Sequence, residues 1–208
     1  RPAVETDGTP SEAPEGSTYF AVKLALEREV MAASRAGLDA VTLLPTGCFG
    51  PYDHKVGTGF FVVALANRAL AAYVDGRINV VDVRDVAAAH VAAALKGRPG
   101  ERYILGGHNV RVRELLAGMA QSFEVDLSAR RLEPEEAFRI AAEEEARCQG
   151  TPRRPALTRE MVDMAVYGQY VDAAKARAEL GFTPRPLQET LTGSFEWYRQ
   201  NGYIGRAA

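Results

Sequence analysis

The sequence predicts an α/β fold built on parallel strands. Three observations carry that reading. A helical pattern over residues 17–35 ends at Gly37 and gives way to the apolar run Ala40-Val41-Thr42-Leu43-Leu44, which reads as a buried strand. A helix followed by such a strand is half of a parallel α/β unit. A turn-rich loop over residues 45–53 then sits at the carboxyl end of that strand, where ligands bind in open α/β sheets.

Composition agrees with a globular chain. It has 208 residues, 47% of them hydrophobic, and a formal net charge of −2. That length supports one good core or a domain and a half. The absence of a basic block argues against nucleic acid as a partner. No apolar run reaches membrane-spanning length, and the N-terminus carries no signal-peptide pattern. Cys48 and Cys148 match no metal spacing and read as free thiols of a reducing cytoplasm. The chain opens at Arg1 on a polar loop with Pro2, Gly8, Pro10, Pro14 and Gly16, which points to further sequence upstream.

The elements follow in order. Ser17 or Thr18 can cap the first helix, and Gly37 suits its left-handed stop. Phe20, Leu24, Val30, Met31 and the alanines cover more than one stripe, so this helix needs two burial partners, one a sheet and the other a second subunit. A helix is expected over 58–70. Tyr73-Val74, Asp75-Gly76 and Ile78-Asn79-Val80-Val81 predict a hairpin on an Asp-Gly turn. Asp85 is the expected cap of an alanine-rich helix over 86–95, in which His90 reads as packing or surface. Arg102-Tyr103-Ile104-Leu105 is a short strand. Helices are expected over 112–123, 132–148, 158–165, 172–180 and 186–201. The acids Glu133, Glu135, Glu136, Glu143, Glu144 and Glu145 read as a solvated face, not a metal site. Trp197 reads as a core anchor.

Chemistry concentrates at Tyr19 and Lys23. Four residues apart on a helix, they share one face one turn apart. An ammonium beside a phenol favours phenolate, drawing the tyrosine from about 10 toward the working range, and the pair is a workable general acid/base. Taken alone, such a pair is also an ordinary helix-surface neighbourhood.

The order of motifs adds weight. Tyr19-x-x-x-Lys23 opens a helix, and a strand and the loop Pro45-Thr46-Gly47-Cys48-Phe49-Gly50-Pro51 follow. Then come Asp82-Val83-Arg84-Asp85-Val86-Ala87, Glu101-Arg102-Tyr103-Ile104-Leu105-Gly106-Gly107, and a tail with Leu180-Gly181-Phe182-Thr183-Pro184 and Glu196-Trp197-Tyr198. Together they resemble the C-terminal part of an extended short-chain dehydrogenase/reductase of the NAD-dependent epimerase/dehydratase family. Pro51-Tyr52-Asp53 and Tyr103 to Gly107 are similar to its dihydroflavonol-reductase-like and hopanoid-associated sugar epimerase branch.

That resemblance implies the last part of a doubly wound Rossmann-type sheet plus a small α/β substrate-binding lobe. Residues 1–56 would belong to the cofactor domain and 57–208 mainly to the lobe, with 78–95 returning to the cofactor domain. It implies NAD or NADP as cofactor and a sugar-like or small carbonyl substrate. A homodimer through the helix from Tyr19 to Arg35 is a further expectation. Tyr19 resembles the catalytic tyrosine, and Lys23 the lysine that holds the nicotinamide ribose. Pro45, Thr46 and Gly47 match the loop against the nicotinamide, and Tyr52, His54 and Phe60 fall where the substrate pocket is lined. A dihydroflavonol-type reductase and a non-catalytic scaffold remain alternatives. The family's catalytic Ser or Thr is expected before Arg1, and the glycine-rich pyrophosphate turn is missing, since Gly57 and Gly59 follow no suitable strand.

Two departures stand out. Gly47 replaces an Asn that contacts the substrate diphosphate in the family's sugar-nucleotide epimerases, which favours a reductase-like or unusual substrate. Arg111 stands where a Ser or Thr normally pairs with Glu114, so a capping box is expected to be lost.

Overall fold

The computed structural model describes residues 1–8, 10–13, 17–153 and 155–205. After a 3-10 turn at Glu5–Asp7, helix α1 runs over Thr18–Arg35 with Ser17 as its N-cap, and Gly37 turns the chain at a φ of 105°. Strand β1 (Thr42–Pro45) pairs in parallel with β5 (Arg102–Leu105), Leu43 opposite Tyr103. The expected helix–strand unit is therefore present.

Side-chain alternation along this pair puts helices on both faces. Thr42 points toward α1, its Oγ1 3.9 Å from Met31 Sδ, and Arg102 reaches Glu27 of α1 at 2.7 Å. Val41, Leu43, Tyr103 and Leu105 point the other way. They pack with Val86, Ala89 and Ala93 of α3 (Val83–Lys96) and Ala176 and Leu180 of α7 (Ala174–Leu180). A parallel pair buried between helices is the doubly wound arrangement. The outer face of α1 is bare: Val22, Leu26 and Val30 are exposed, and every α1 residue keeps at least partial exposure.

A second sheet has the order β2 (Gly47–Phe49), β4 (Arg77–Asp82), β6 (His108–Arg111), parallel then antiparallel. Its core is closed by α2 (Phe60–Ala66), α4 (Val112–Phe123) and α8 (Leu187–Gln200), through Val62, Leu65, Leu115, Leu116, Met119, Leu191 and Tyr198. A third, small sheet pairs β3 (Ala72–Val74) in parallel with β7 (Arg130–Leu132), packed on α5 (Pro134–Cys148) and α6 (Arg159–Val166) through Ala137, Ala141 and Val162. Among the described residues, no helix is long and apolar enough to cross a membrane.

The structure corrects five expectations. The Asp-Gly hairpin does not form, because β3 and β4 lie in different sheets. The Asp75 side chain is buried and accepts from Arg111 Nη2 at 3.1 Å and Arg113 N at 3.2 Å, and a Cβ on Gly76 would lie 1.6 Å from the Ala165 carbonyl. The dipeptide is a packed crossover. Asp82, not Asp85, caps α3 by accepting from Arg84 N at 2.8 Å, while Asp85 holds the Arg185 backbone and guanidinium. The helix expected over 58–70 is shorter, since Arg68 takes a φ of 56° just past its end. Half of the α4 capping box survives. Glu114 accepts from Arg111 N at 3.0 Å, whereas an arginine side chain has no acceptor for the other half. Finally, Tyr198 and not Trp197 is the fully buried anchor of α8.

Candidate active site

Tyr19 is the second residue of α1, half-exposed, with Lys23 Nζ 5.6 Å from its ring centroid. The ammonium thus lies toward the ring, on the helix face that the spacing requires. Thr42 beside Met31 fixes the relative height of α1 and β1. From Met31 back to Tyr19 the helix rises about 18 Å, and from Thr42 to Gly47 the strand climbs about 16 Å. The chain reverses between them, and β1 passes into β2 through a one-residue loop at Thr46.

That loop is held by one buried polar side chain. Asn79 Oδ1 accepts from Thr46 Oγ1 at 2.6 Å and from Gly107 N at 2.9 Å, while its Nδ2 donates to Asn109 Oδ1 at 2.7 Å. Asn109 in turn exchanges two hydrogen bonds with the Val171 backbone. Gly47 pairs with Val80, and a Cβ there would meet the Asn79 carbonyl oxygen at 3.0 Å, closer than side chains normally come. The glycine therefore has a packing reason of its own, independent of any substrate. The neighbouring Cys48 thiol is pushed up by burial and by the charge of Asp82, which keeps it neutral.

Tyr52 and His54 meet around Trp197. The ring centroids lie 6.2 Å and 5.0 Å from the indole, and Tyr203 stacks on it at 5.6 Å. Tyr52 adopts a φ of 71° and is 73% exposed. Phe60, at the start of α2, is 39% exposed and meets the ring of Phe61. Beneath the loop, Asp53 accepts from Gly57 N at 3.0 Å, Gly59 N at 3.3 Å and the Tyr198 hydroxyl at 2.7 Å. Burial first, and then this bond to Asp53, hold the Tyr198 phenol far above its ordinary range, so it stays a donor.

Three residues escaped the sequence reading. Asn79 was detectable, being a lone polar side chain inside the apolar run Ile78 to Val81. Asp53 stood out only within Pro51-Tyr52-Asp53, with no sign of its bonds to Gly57, Gly59 and Tyr198. Glu160 carries no local signal, yet its Oε1 accepts from Tyr19 N at 2.8 Å and from Ser17 Oγ at 3.2 Å.

Helices on both faces of a parallel pair define a doubly wound α/β domain, with Tyr19 and Lys23 together on one face of α1. The model of the NAD dependent epimerase/dehydratase family matches residues 1–106, and the chain belongs to that family. A protein of Synechocystis sp. that carries the name dihydroflavonol 4-reductase is 30% identical over 191 residues, 89% of this chain and 56% of that protein. The crystal structure of a nucleoside-diphosphate-sugar epimerase from Pseudomonas aeruginosa matches with a TM-score of 0.81 and 30% identity, over 99% of this chain and 63% of that one. A dTDP-glucose 4,6-dehydratase from Streptomyces venezuelae, solved with NAD bound, has a TM-score of 0.68 at 22% identity, covering 97% of this chain and 55% of that one, and is a likeness of fold alone. The chain spans little more than half the length of the curated relative.

The residues present fit one end of a dinucleotide. Tyr19 and Lys23 carry a phenol and an ammonium, and Thr46 a hydroxyl whose proton already goes to Asn79. The glycines at 57 and 59 do not fit a pyrophosphate, because both N–H groups are already taken by Asp53.

Proposed function

We propose that this chain carries the proton-transfer and substrate-facing part of an NAD(P)-dependent oxidoreductase acting on a sugar-like or small carbonyl or hydroxyl substrate. The observation that carries it is the pairing of Tyr19 and Lys23 on one open face of α1, the helix that packs on β1. A bound nicotinamide would supply or accept the hydride. In the reducing direction the Tyr19 phenol donates its proton to the substrate oxygen as the carbon is reduced. Lys23 holds the nicotinamide ribose and stabilises negative charge on the phenol. Pro45, Thr46 and Gly47 lie against the nicotinamide, and Tyr52, His54 and Phe60 line the substrate side. Residues 1–56 and 78–95, joined by β5 and α7, serve the cofactor domain, and most of the rest of 57–208 the substrate lobe. Epimerase, dehydratase and reductase chemistries share this step.

A dihydroflavonol-type reductase is the favoured subclass, since aromatic rings surround the Tyr52 loop and Gly47 offers no side chain to a diphosphate. The bare apolar stripe of α1 supports a homodimer through residues 19–35, which sedimentation at varied concentration tests. In the full-length protein Tyr19→Phe should lower nicotinamide-dependent turnover by about a hundredfold to ten-thousandfold, the usual worth of a positioned acid/base, with an unchanged circular dichroism spectrum. Near-normal turnover would remove Tyr19 from the mechanism. Selective turnover of a nucleotide sugar over hydroxyketones would reverse the choice of subclass.

A further inference from the structure

We infer that Glu160 is a positioning residue for Tyr19, a carboxylate by which helix α6 fixes the first turn of α1. The inference rests on the reading of Tyr19 as the acid/base. A helix begins with backbone N–H groups that lack intrahelical partners. In α1, Ser17 Oγ accepts from Phe20 N at 3.4 Å, which satisfies one of them. The amide of Tyr19 is another, and Glu160 Oε1 takes it at 2.8 Å while also accepting from the Ser17 hydroxyl at 3.2 Å. The two acceptors are thus linked to each other. They form a capping arrangement whose acidic half comes from 141 residues along the chain. In an ordinary capping box that acid sits three residues after the cap, where this chain has Phe20.

Position makes the bond matter. Tyr19 lies in the turn where helices fray, so its phenol is only as well aimed as that turn is formed. A general acid must come within about 2.6–3.2 Å of the oxygen it serves, and a misplacement of about 1 Å can cost about a hundredfold. Glu160 grips the amide of the catalytic residue itself, with a charge that the helix N-terminus favours. It does so from the second residue of α6, whose own first turn is capped by Thr158 Oγ1 accepting from Met161 N at 3.2 Å. Helical spacing places Met164 and Tyr167 on the same face as Glu160, and both are exposed. Through Glu160 the element packed on β3 and β7 is thus tied to the proton donor.

The test compares Glu160→Ala with Glu160→Gln, which keeps a carbonyl acceptor and loses the charge. In the 208-residue chain, amide hydrogen exchange at Tyr19 should quicken at least about tenfold in Glu160→Ala, the usual worth of a charge-assisted hydrogen bond, and much less in Glu160→Gln, with α8 amides unchanged as the control for folding. In the full-length protein kcat should fall about ten- to a hundredfold in Glu160→Ala, with KM within about threefold, and recover largely in Glu160→Gln. Unchanged exchange at Tyr19 would overturn the hydrogen bond. Faster exchange with normal kcat would reduce Glu160 to a helix cap and overturn its positioning role. If Tyr19→Phe itself retained turnover, the acid/base reading would fail while the exchange result stood.

Discussion

Replacing Tyr198 with Phe removes one hydroxyl and tests how the candidate substrate loop is held. The ring of Tyr198 is wholly buried in the core with Leu191 and Leu116, and Phe keeps that packing. What is lost is the 2.7 Å bond to Asp53 Oδ2. A hydrogen bond to a charged group contributes about 1.5–3 kcal/mol. Asp53 keeps two backbone donors, Gly57 N and Gly59 N, so the low end applies, about 1.5–2 kcal/mol. For a chain of this size that lowers Tm by about 3–8 °C. Urea and thermal unfolding followed by circular dichroism would measure it. Trp197, the single tryptophan, touches Tyr52 and His54, so its emission reports the same loop locally. A loss below about 0.5 kcal/mol, the range of neutral surface changes, with unaltered emission, would refute the view that this bond anchors the loop.

Acid should destabilise the protein through Asp82. Burial raises its carboxyl, but hydrogen bonds from the Arg84 side chain and backbone outweigh that and leave it below its ordinary value. Its folded pKa lies below its unfolded one, so its contribution is present above about pH 4 and is lost as pH falls through the folded value. Tm measured against pH should therefore decline below about pH 4, and more shallowly in Asp82→Asn. Gly76→Ala should cost about 3 kcal/mol in urea unfolding, since its Cβ would overlap the Ala165 carbonyl at 1.6 Å, and a neutral result would mean the crossover is loose. Calorimetric titration of the 208-residue chain with NAD and NADP should register no binding: a few contacts at the nicotinamide end, at about 1 kcal/mol each, do not offset an association cost of at least about 4 kcal/mol. Micromolar binding would contradict this.

What could be read from the chain was local and periodic. Helix α4 was expected and found over the same residues, because Val112, Leu115, Leu116, Met119 and Phe123 repeat at helical spacing. Strand β1 was legible from its apolar run. Strands β6 and β7 were not, being three or four residues long and rich in Arg, His and Asn, so pairing across the fold decided them against weak propensity. The Asp75-Gly76 signal misled because it is a rule about neighbours, whereas the partners of Asp75 are Arg111 and Arg113. Trp197 drew attention by size, yet the register of α8 turns Tyr198 inward. Tyr19 and Lys23 were visible as a pair, but Glu160 was not.

The parts of the site share a mode of support that follows from where they lie. Loops at strand ends and first turns of helices have little apolar surface to bury, so burial cannot fix their shape. Here polar acceptors do it, each gathering donors from distant segments. Asn79 collects Thr46 and Gly107, Asp53 collects Gly57, Gly59 and Tyr198, and Glu160 collects Ser17 and Tyr19. Each acceptor satisfies backbone groups that would otherwise lack partners, which makes its loss costlier than one average hydrogen bond. Asn79 and Asp53 both border the core of Val80 and Tyr198, whereas Glu160 lies on α6 in the separate layer of Val162, so a change at one core need not relax the other. That separation would let the candidate substrate loop at Tyr52 vary while the first turn of α1 at Tyr19 keeps its geometry.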